Sequence, residues 1–353
     1  MLRNLRQRIT ITDIVVWAIG AAIGLVVIWG TIATLQSGKY SASSWIDLTT
    51  RGLALGGVYA LIAMGYTLVY GILQMINFAH SEVFMSGPFT AVFLANALAN
   101  SGFLDQHPII SLVLITLLSM AISTGVAILL ERIAYRPLRN APRLVPLITA
   151  IGASFFLQYT FRGLYGSGVQ AYPTLKALDG SWDIAGFSFF KTQGVVIVAA
   201  IVMMIVLYSV VQWTKVGKAM RAVSEDKEAA ALMGVDVDRI IVFTFGLGGA
   251  SAGAAGILYV LLFPVVNFFM GFIPGLKAFT AAVLGGIGNV PGAFLGSIIL
   301  GLLESVGPNL FLDGLGIPTP GQLKDAIAFI ILVFILIFRP SGILGERLSQ
   351  EKA

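Results

Sequence analysis

Few side chains in this sequence could do acid–base chemistry or hold a metal. There are two histidines, His80 and His107, and no cysteine, which excludes thiolate and histidine-rich metal sites. The sequence contains no HExxH or GxSxG motif and no plausible pair of catalytic carboxylates. Gly285-Gly-Ile-Gly288 lacks the Gly-Lys-Ser/Thr ending of a phosphate-binding loop. We therefore predict no catalytic residue, no metal site and no cofactor in this chain.

Other polar side chains stand inside or beside apolar sequence, where ionisable residues are costly and mark functional sites. Asn77, His80 and Glu82 are predicted to cluster on the cytoplasmic side between two apolar runs, and Glu304 lies near the end of another run. For His80 the alternative role is a hydrogen bond that fixes a turn, and for Glu304 it is an ion pair at a helix end. Together with hydroxyls on Gly-rich segments they form one set of candidate path residues: Tyr66, Thr67, Tyr70, Asn77, His80, Glu82, Thr280 and Glu304.

The elements that must position these side chains follow from the composition. Of the 353 residues, 57% are hydrophobic and only 11% are charged, and the mean hydropathy is +0.91. Soluble domains carry roughly 25% charged residues, so most of this surface must face lipid. The net charge is +5, but the basic residues sit in short loops and form no basic face for nucleic acid.

A helix that crosses a bilayer needs about 20 mostly apolar residues. The sequence therefore predicts an all-α polytopic membrane protein with about eight to ten transmembrane helices, some of them short, Gly-broken or re-entrant. Gly52-x-x-x-Gly56 and Gly249-x-x-x-Gly253 predict close helix packing. The predicted spans are near 14–35, 52–72, 83–99, 108–130, 144–161, 193–213, 240–262, 275–288, 291–306 and 322–338.

Basic residues in the short loops predict the orientation, because Lys and Arg concentrate in cytoplasmic loops. With both termini in the cytoplasm, fifteen of the 22 basic residues fall on that side. Parity then requires the region 275–306 to cross the membrane twice or not at all. The basic residues that decide this are Arg3, Arg6, Arg8, Arg132, Arg136, Arg139, Arg143, Lys215, Lys218, Arg221, Lys227, Arg239, Arg339, Arg347 and Lys352.

The N-terminal segment has two readings. Arginines before an apolar run fit either a retained first helix or a signal peptide cleaved near Ser41-Ala42-Ser43. We divide the chain into an additional N-terminal helix and external loop at 1–48, a transmembrane domain at 49–345 and a cytoplasmic tail at 346–353.

The loop 214–239 is the most charged stretch of the chain. Ser224 is the predicted N-cap of a short helix, with Glu225, Asp226 and Glu228 in its first turn and Gly234 at its end. This helix would present a small apolar knob to water, which an ordinary surface helix does not need. The predicted contact residues are Glu225, Glu228, Ala229, Ala230, Leu232, Met233 and Gly234.

Glu228-Ala-Ala-x-x-x-Gly234 resembles the EAA loop of ABC-importer permeases, although the usual Ile-x-Leu-Pro ending is absent. Over residues 50–345 the chain is similar to the H-type permease subunits of branched-chain amino-acid ABC importers. Ser81 departs from the usual glycine after the histidine. The blocks that carry this resemblance are 59–71, Met75-Ile-Asn-Phe-Ala-His80, 131–139, 147–158, 277–293 and 340–345.

The resemblance implies a subunit of the bacterial inner membrane that imports branched-chain amino acids. Its expected partners are a second, M-type permease, two cytoplasmic ATPases that bind the ATP, and an external substrate-binding protein. The path residues would then hydrogen-bond a passing zwitterion. Two alternatives remain open: import of urea, short amides or other amino acids by the same architecture, and an ATPase-independent channel or secondary transporter.

Overall fold

A computed structural model describes residues 11–139, 141–142, 144–184, 187–339 and 341–345. Apolar runs dominate these residues, and most of them are helical. The helices are α1 Ile11–Ser37, α2 Ala42–Leu73, α3 His80–Asn100, α4 Phe103–Gln106, α5 Pro108–Leu130, α6 Leu144–Tyr165, α7 Lys191–Trp213, α8 Lys215–Glu225, α9 Lys227–Leu232, α10 Val237–Leu262, α11 Phe272–Gly285, α12 Val290–Gly307 and α13 Lys324–Phe338. Four short strands accompany them: β1 Gln170–Ala171, β2 Ser181–Ile184, β3 Phe187–Phe190 and β4 Val265–Val266.

The predicted all-α polytopic fold is confirmed. Within the described residues nine helices are long and apolar enough to span a membrane, and α11 is a shorter apolar helix. The largest difference in bounds is at α2, which begins ten residues before the predicted span because Ser41 caps it: the Ser41 hydroxyl accepts the Ser44 N–H at 3.3 Å. The predicted tail 346–353 and Arg3, Arg6, Arg8, Arg143, Arg347 and Lys352 lie outside the described residues.

The loops lie on two opposite faces of the helix bundle. On the first, which we call the hairpin face, β2 pairs with β3, β1 pairs with β4, and Lys176 bonds Asp105 at 2.5 Å. The link between α1 and α2 also lies there, since the Tyr40 hydroxyl donates to Asn309 at 3.2 Å. The other side, which we call the α8–α9 face, carries 131–139 and 214–236, and Asp238 binds Arg136 there. Successive spans therefore run in opposite directions.

The bundle is built from two copies of one helix arrangement. Residues 77–78 and 89–91 recur as Asn-Phe and Phe-Thr-Ala 190 positions later, at 267–268 and 279–281. The backbone hydrogen bonds at the starts of α3 and α11 recur at the same offset. The matched bonds are His80 N to Asn77 O (3.1 Å) with Met270 N to Asn267 O (3.2 Å), and Glu82 N to Ala79 O (3.1 Å) with Phe272 N to Phe269 O (3.2 Å).

The first repeat comprises α2 to α6 and the second α10 to α13. Both α5 and α12 continue into a π-helical turn, at 131–135 and 308–312. Helix α3 runs toward the hairpin face, whereas α11 ends on the opposite side, against the segment that follows α13. Ile343 and Leu344 donate their N–H groups to the carbonyls of Leu284 and Gly285 at 2.8 and 2.9 Å, at the end of α11. The two repeats are thus inverted with respect to each other.

The two small-xxx-small motifs interlock the repeats. A Cβ added at Gly56 would lie 2.9 Å from the Cα of Ile298 in α12, and one at Gly253 would lie 2.8 Å from the Cα of Met120 in α5. Helix α2 of the first repeat therefore packs on α12 of the second, and α10 of the second packs on α5 of the first. The predicted role of these glycines in close helix packing is confirmed.

Helices α3 and α11 both begin inside the bundle. The His80 ring lies against Gly65, eight residues before the end of α2, which is about 12 Å along that helix. The same ring lies 3.6 Å from a Cβ added at Gly248, well inside α10. The start of α11 meets the start of α3, since a Cβ at Gly275 would lie 3.1 Å from the Ser81 Cα. The predicted pair in 275–306 is thus one short helix that starts within the bundle and one full-length helix.

Because Gly253 sits against a helix backbone, we expect Gly253→Leu to destabilise the chain by about 1–3 kcal/mol through overpacking. Gly125→Leu is the matched control, since no atom lies within 4 Å of a Cβ added there. The thermal unfolding midpoint in detergent measures both. Equal midpoints for the two variants would contradict the interlocked packing.

Candidate functional site

Four of the predicted path residues meet where α3 begins. The Tyr66 ring packs edge-on against the His80 ring, with centroids 4.8 Å apart, and Phe279 of α11 packs on the other side of Tyr66 at 6.0 Å. Asn77 accepts a 2.6 Å hydrogen bond from the Tyr135 hydroxyl. The four path residues, Tyr66, Asn77, His80 and Glu82, are all buried. The sequence predicted a cluster at the cytoplasmic side, and the structure places it deeper, within the bundle.

Glu82 is completely buried in this cluster. Its Oε1 accepts hydrogen bonds from Gln158 Nε2 at 2.8 Å, from Ser154 Oγ at 3.1 Å and from Ser81 Oγ at 3.2 Å. Its Oε2 has no partner in the described part of the chain, and the same holds for His80 Nε2 and Thr67 Oγ1. Buried polar atoms without partners are energetically costly. These three atoms could therefore form further hydrogen bonds at the centre of the bundle.

Glu304, the path candidate on α12, lies apart from this cluster in a buried ion network. Lys277 Nζ of α11 donates to Glu304 Oε1 at 2.6 Å and lies 2.6 Å from Asp325 Oδ1 of α13. The Tyr59 hydroxyl donates to Glu304 Oε2 at 2.9 Å. Lys277 and Glu304 are almost fully buried, while Asp325 is half-exposed. This arrangement is the ion-pair role that the sequence left open for Glu304, and it ties α11, α12 and α13 together.

The other two hydroxyl candidates are less available. Thr280 Oγ1 donates to the carbonyl of Leu276 within its own helix, at 2.9 Å. Tyr70 is partly exposed near the end of α2. The eight predicted path residues therefore do not form one site.

The sequence did not predict the contacts of Ser154, Gln158 and Tyr135 with the buried cluster, or the pairing of Lys277 with Asp325. The first two are polar residues four positions apart on α6, so they share one helix face, and that spacing was a usable signal. Lys277 and Asp325 are 48 positions apart, and only the tertiary fold shows that they meet.

On the α8–α9 face the predicted cap was wrong. Asp226 caps α9, with Oδ1 accepting the N–H groups of Glu228 at 2.9 Å and Ala229 at 3.0 Å. Ser224 lies in α8, where its hydroxyl donates to the Arg221 carbonyl, and Glu225 ends that helix. Asp226 caps the helix instead of Ser224 because the backbone at 226 has the extended conformation that an N-cap needs. Gly234 follows α9 with φ +84°, as predicted for a helix end.

The apolar knob of α9 consists of two residues. Leu232 is 89% exposed and Met233 is 84% exposed. Ala229 is also exposed, but Ala230 is buried against the body of the protein, contrary to the prediction that it presents outward. Two large apolar side chains on a water-facing turn are typical of a contact surface.

An ion network lies under α9 and joins the two repeats. Arg139 binds both Glu131, at the end of α5, and Asp238, at the start of α10, and Arg136 also binds Asp238. Partial burial of the Lys227 ammonium in α9 lowers the pKa of this residue, and the nearby positive charge of Arg139 lowers the pKa further. A displacement of α9 would therefore act on charges that hold α5 and α10 together.

Several known proteins resemble this chain over most of its length. The family described as "Branched-chain amino acid transport system / permease component" matches residues 48–336. The high-affinity branched-chain amino acid transport system permease protein BraD of Pseudomonas aeruginosa is 41% identical over 305 residues, which cover 86% of this chain and 96% of BraD. The corresponding protein LivH of Escherichia coli is 40% identical over 301 residues, 84% of this chain and 94% of LivH. A solved metal-chelate type ABC transporter in an inward-facing conformation aligns over 89% of this chain and 97% of its own, with 17% identity and a TM-score of 0.45.

The buried ion network makes a stability prediction. Lys277→Met leaves Glu304 as an uncompensated buried charge, so we expect a loss of about 3–5 kcal/mol. Lys277→Met combined with Glu304→Met removes both buried charges and should regain at least half of that loss. Lys176→Met, which breaks the exposed pair with Asp105, is the control and should cost less than about 1 kcal/mol. Thermal unfolding in lipid nanodiscs measures all three, and no recovery in the double variant would contradict the ion-pair role.

Proposed function

The chain belongs to the family of branched-chain amino acid transport permease components, and from this premise we propose that it is the H-type permease subunit of an ATP-driven importer of branched-chain amino acids. The observation that supports the cargo most directly is the 40–41% identity over nearly the full length of BraD and LivH. The chain itself performs no covalent chemistry in this proposal. It provides half of a path through the bacterial inner membrane.

The proposed assembly contains a second, M-type permease, two cytoplasmic ATPases and an external binding protein. The α8–α9 face is the cytoplasmic face, which puts both termini in the cytoplasm. Loop basic residues support this orientation, because Arg132, Arg136 and Arg139 lie on that face together with Lys215 and Lys218. The hairpin face then meets the binding protein outside.

Helix α9 is the proposed coupling element. Its exposed pair, Leu232 and Met233, would seat in an apolar groove of an ATPase. Closure of the ATPases would displace α9, and the Arg139 network beneath it would pass this displacement to α5 and α10. Since those helices belong to different repeats, the force would shift one repeat against the other.

The proposed path passes the meeting point of α3 and α11. Both helix starts lie inside the bundle there, and Thr67, His80 and Glu82 carry polar atoms without partners in the described residues. Such atoms can exchange hydrogen bonds with a passing ammonium or carboxylate group. The Glu304 ion network would instead hold α11, α12 and α13 together, because its charges are already paired.

We expect Leu232→Glu combined with Met233→Glu to lower leucine-stimulated ATP hydrolysis by at least about tenfold, since two charges cannot enter an apolar groove without a large desolvation cost. Membrane insertion should be unchanged, because both side chains point into water. Leu344→Glu, at an exposed apolar site in the segment after α13, is the matched control. Normal coupled hydrolysis in the double variant would refute the coupling role of α9.

The same reconstituted system tests the cargo and the need for ATPases. Proteoliposomes are prepared with and without the ATPases and the binding protein, and the uptake of labelled leucine and urea is compared. We expect leucine uptake only in the complete assembly with ATP. Uptake of urea in preference to leucine would overturn the cargo, and uptake by the chain alone along an ion gradient would overturn the ABC-importer proposal.

A further inference from the structure

A cavity of about 600 Å³ opens on the hairpin face, apart from the path residues and from the α9 surface. Three elements enclose it: the start of α2, the β2–β3 hairpin and the π-helical turn after α12. Its volume is in the range of small-molecule sites, about 300–1,000 Å³. The lining includes both polar side chains, among them Ser43, Ser44 and Asp47, and the apolar side chains of Leu48, Phe189 and Phe190.

The start of α2 supplies hydrogen-bond donors. Ser41 Oγ lies 2.8 Å from Ser43 Oγ and 2.9 Å from Ser44 Oγ. Two contacts among three hydroxyls use two protons, so at least one hydroxyl proton remains to donate to another group. The positive end of the α2 dipole lies at the same place, and both features favour a carboxylate.

Asp47 supplies a negative charge one helical turn further along α2. It has two weak partners: Gln193 Nε2 at 3.3 Å and Arg51 at 3.8 Å. Its carboxylate therefore keeps room for an ammonium group. Because residues three and four apart on a helix are neighbours, Asp47 is near Ser43 and Ser44. This proximity is what an α-amino acid requires, since its carboxylate and ammonium are bonded to one carbon atom.

The apolar side chains of the cavity provide a surface for the side chain of an amino acid. Phe190 is 50% exposed although it borders a water-facing cavity, and Phe189 and Leu48 lie beside it. Exposed aromatic and aliphatic side chains next to a paired donor and acceptor suit a zwitterion with an apolar side chain. A sugar would need more hydrogen-bond partners on this wall, and an inorganic anion would be repelled by Asp47.

We propose that this cavity is an external acceptor site for a zwitterionic amino acid with an apolar side chain. The Ser43–Ser44 end takes the carboxylate, Asp47 takes the ammonium, and Leu48, Phe189 and Phe190 take the side chain. The site would receive the amino acid on the outside before it enters the path. This inference rests on the cargo and orientation proposed above.

Equilibrium binding of radiolabelled leucine tests the site, with the assembled transporter in phosphatidylcholine nanodiscs and without the binding protein. We expect saturable binding that Asp47→Asn weakens at least about tenfold, since the substitution removes the partner of the ammonium. Phe190→Ser should weaken it several-fold. Asp105→Asn, at another carboxylate on the same face, should leave it unchanged. Isocaproate and isoamylamine, which each lack one charged group of leucine, should compete at least tenfold less well.

No saturable binding, or equal binding by wild type and Asp47→Asn, would overturn the proposal. Loss of leucine binding in phosphatidylethanolamine nanodiscs would assign the cavity to a lipid headgroup and also overturn it. If Asp47→Asn has a lowered unfolding midpoint, Phe190→Ser decides instead. ATP-driven leucine uptake is measured on the same variants. If the wild type takes up leucine but the variants bind it normally, the cavity site alone is refuted. If the complete wild-type assembly takes up no leucine, the proposed function is refuted.

Discussion

Two helices that begin inside an apolar bundle set the main constraint on this structure. The first N–H groups of a helix have no partner within that helix, and within a membrane such groups must be satisfied by the protein. The chain resolves this locally: the carbonyls of Asn77 and Phe269 accept the N–H groups of His80 and Phe272, the first residues of the two helices. Space is then the second requirement, and Gly65 provides it, since a Cβ added there would clash with His80 Nε2. The interlocked repeats follow from these two conditions.

The repeats share a backbone but differ in chemistry, and this difference is informative about function. Where the first repeat has His80, Ser81 and Glu82, the second has the apolar or small residues at 270–272. Polar capacity is thus concentrated at the start of α3, while α11 contributes Lys277 to a paired network that fixes α12 and α13. In the proposed path, the first repeat would offer hydrogen bonds to a solute, and the second would supply a wall whose charges are already paired. The ion network around Arg139 joins both to the surface that carries α9.

Much of this could be predicted from the sequence, because lipid imposes a simple rule on long apolar runs. The spans, the glycine contacts and the helix end at Gly234 depend on local composition or backbone conformation, and the structure agrees with them. The cap of α9 was mispredicted because Ser224 and Asp226 are both good caps, and the choice between them depends on how α8 ends. The partners of Glu82 on α6 and the approach of Asp325 to Lys277 depend on contacts between distant segments, which one sequence does not reveal.

We propose that the transport path runs past the place where α3 and α11 begin. The chain contains no cysteine, so a single Ser81→Cys substitution gives one reactive thiol at that place. Ser123→Cys is the control, since that hydroxyl is buried and donates to the Val83 carbonyl at 2.7 Å between packed helices. Labelling by a membrane-impermeant thiol reagent is measured from each side of the assembled transporter, with and without ATP. We expect the thiol at 81 to react from one side of the membrane in one nucleotide state and from the other side in the other state, while the thiol at 123 stays protected. Protection of both thiols from both sides in every state would contradict it.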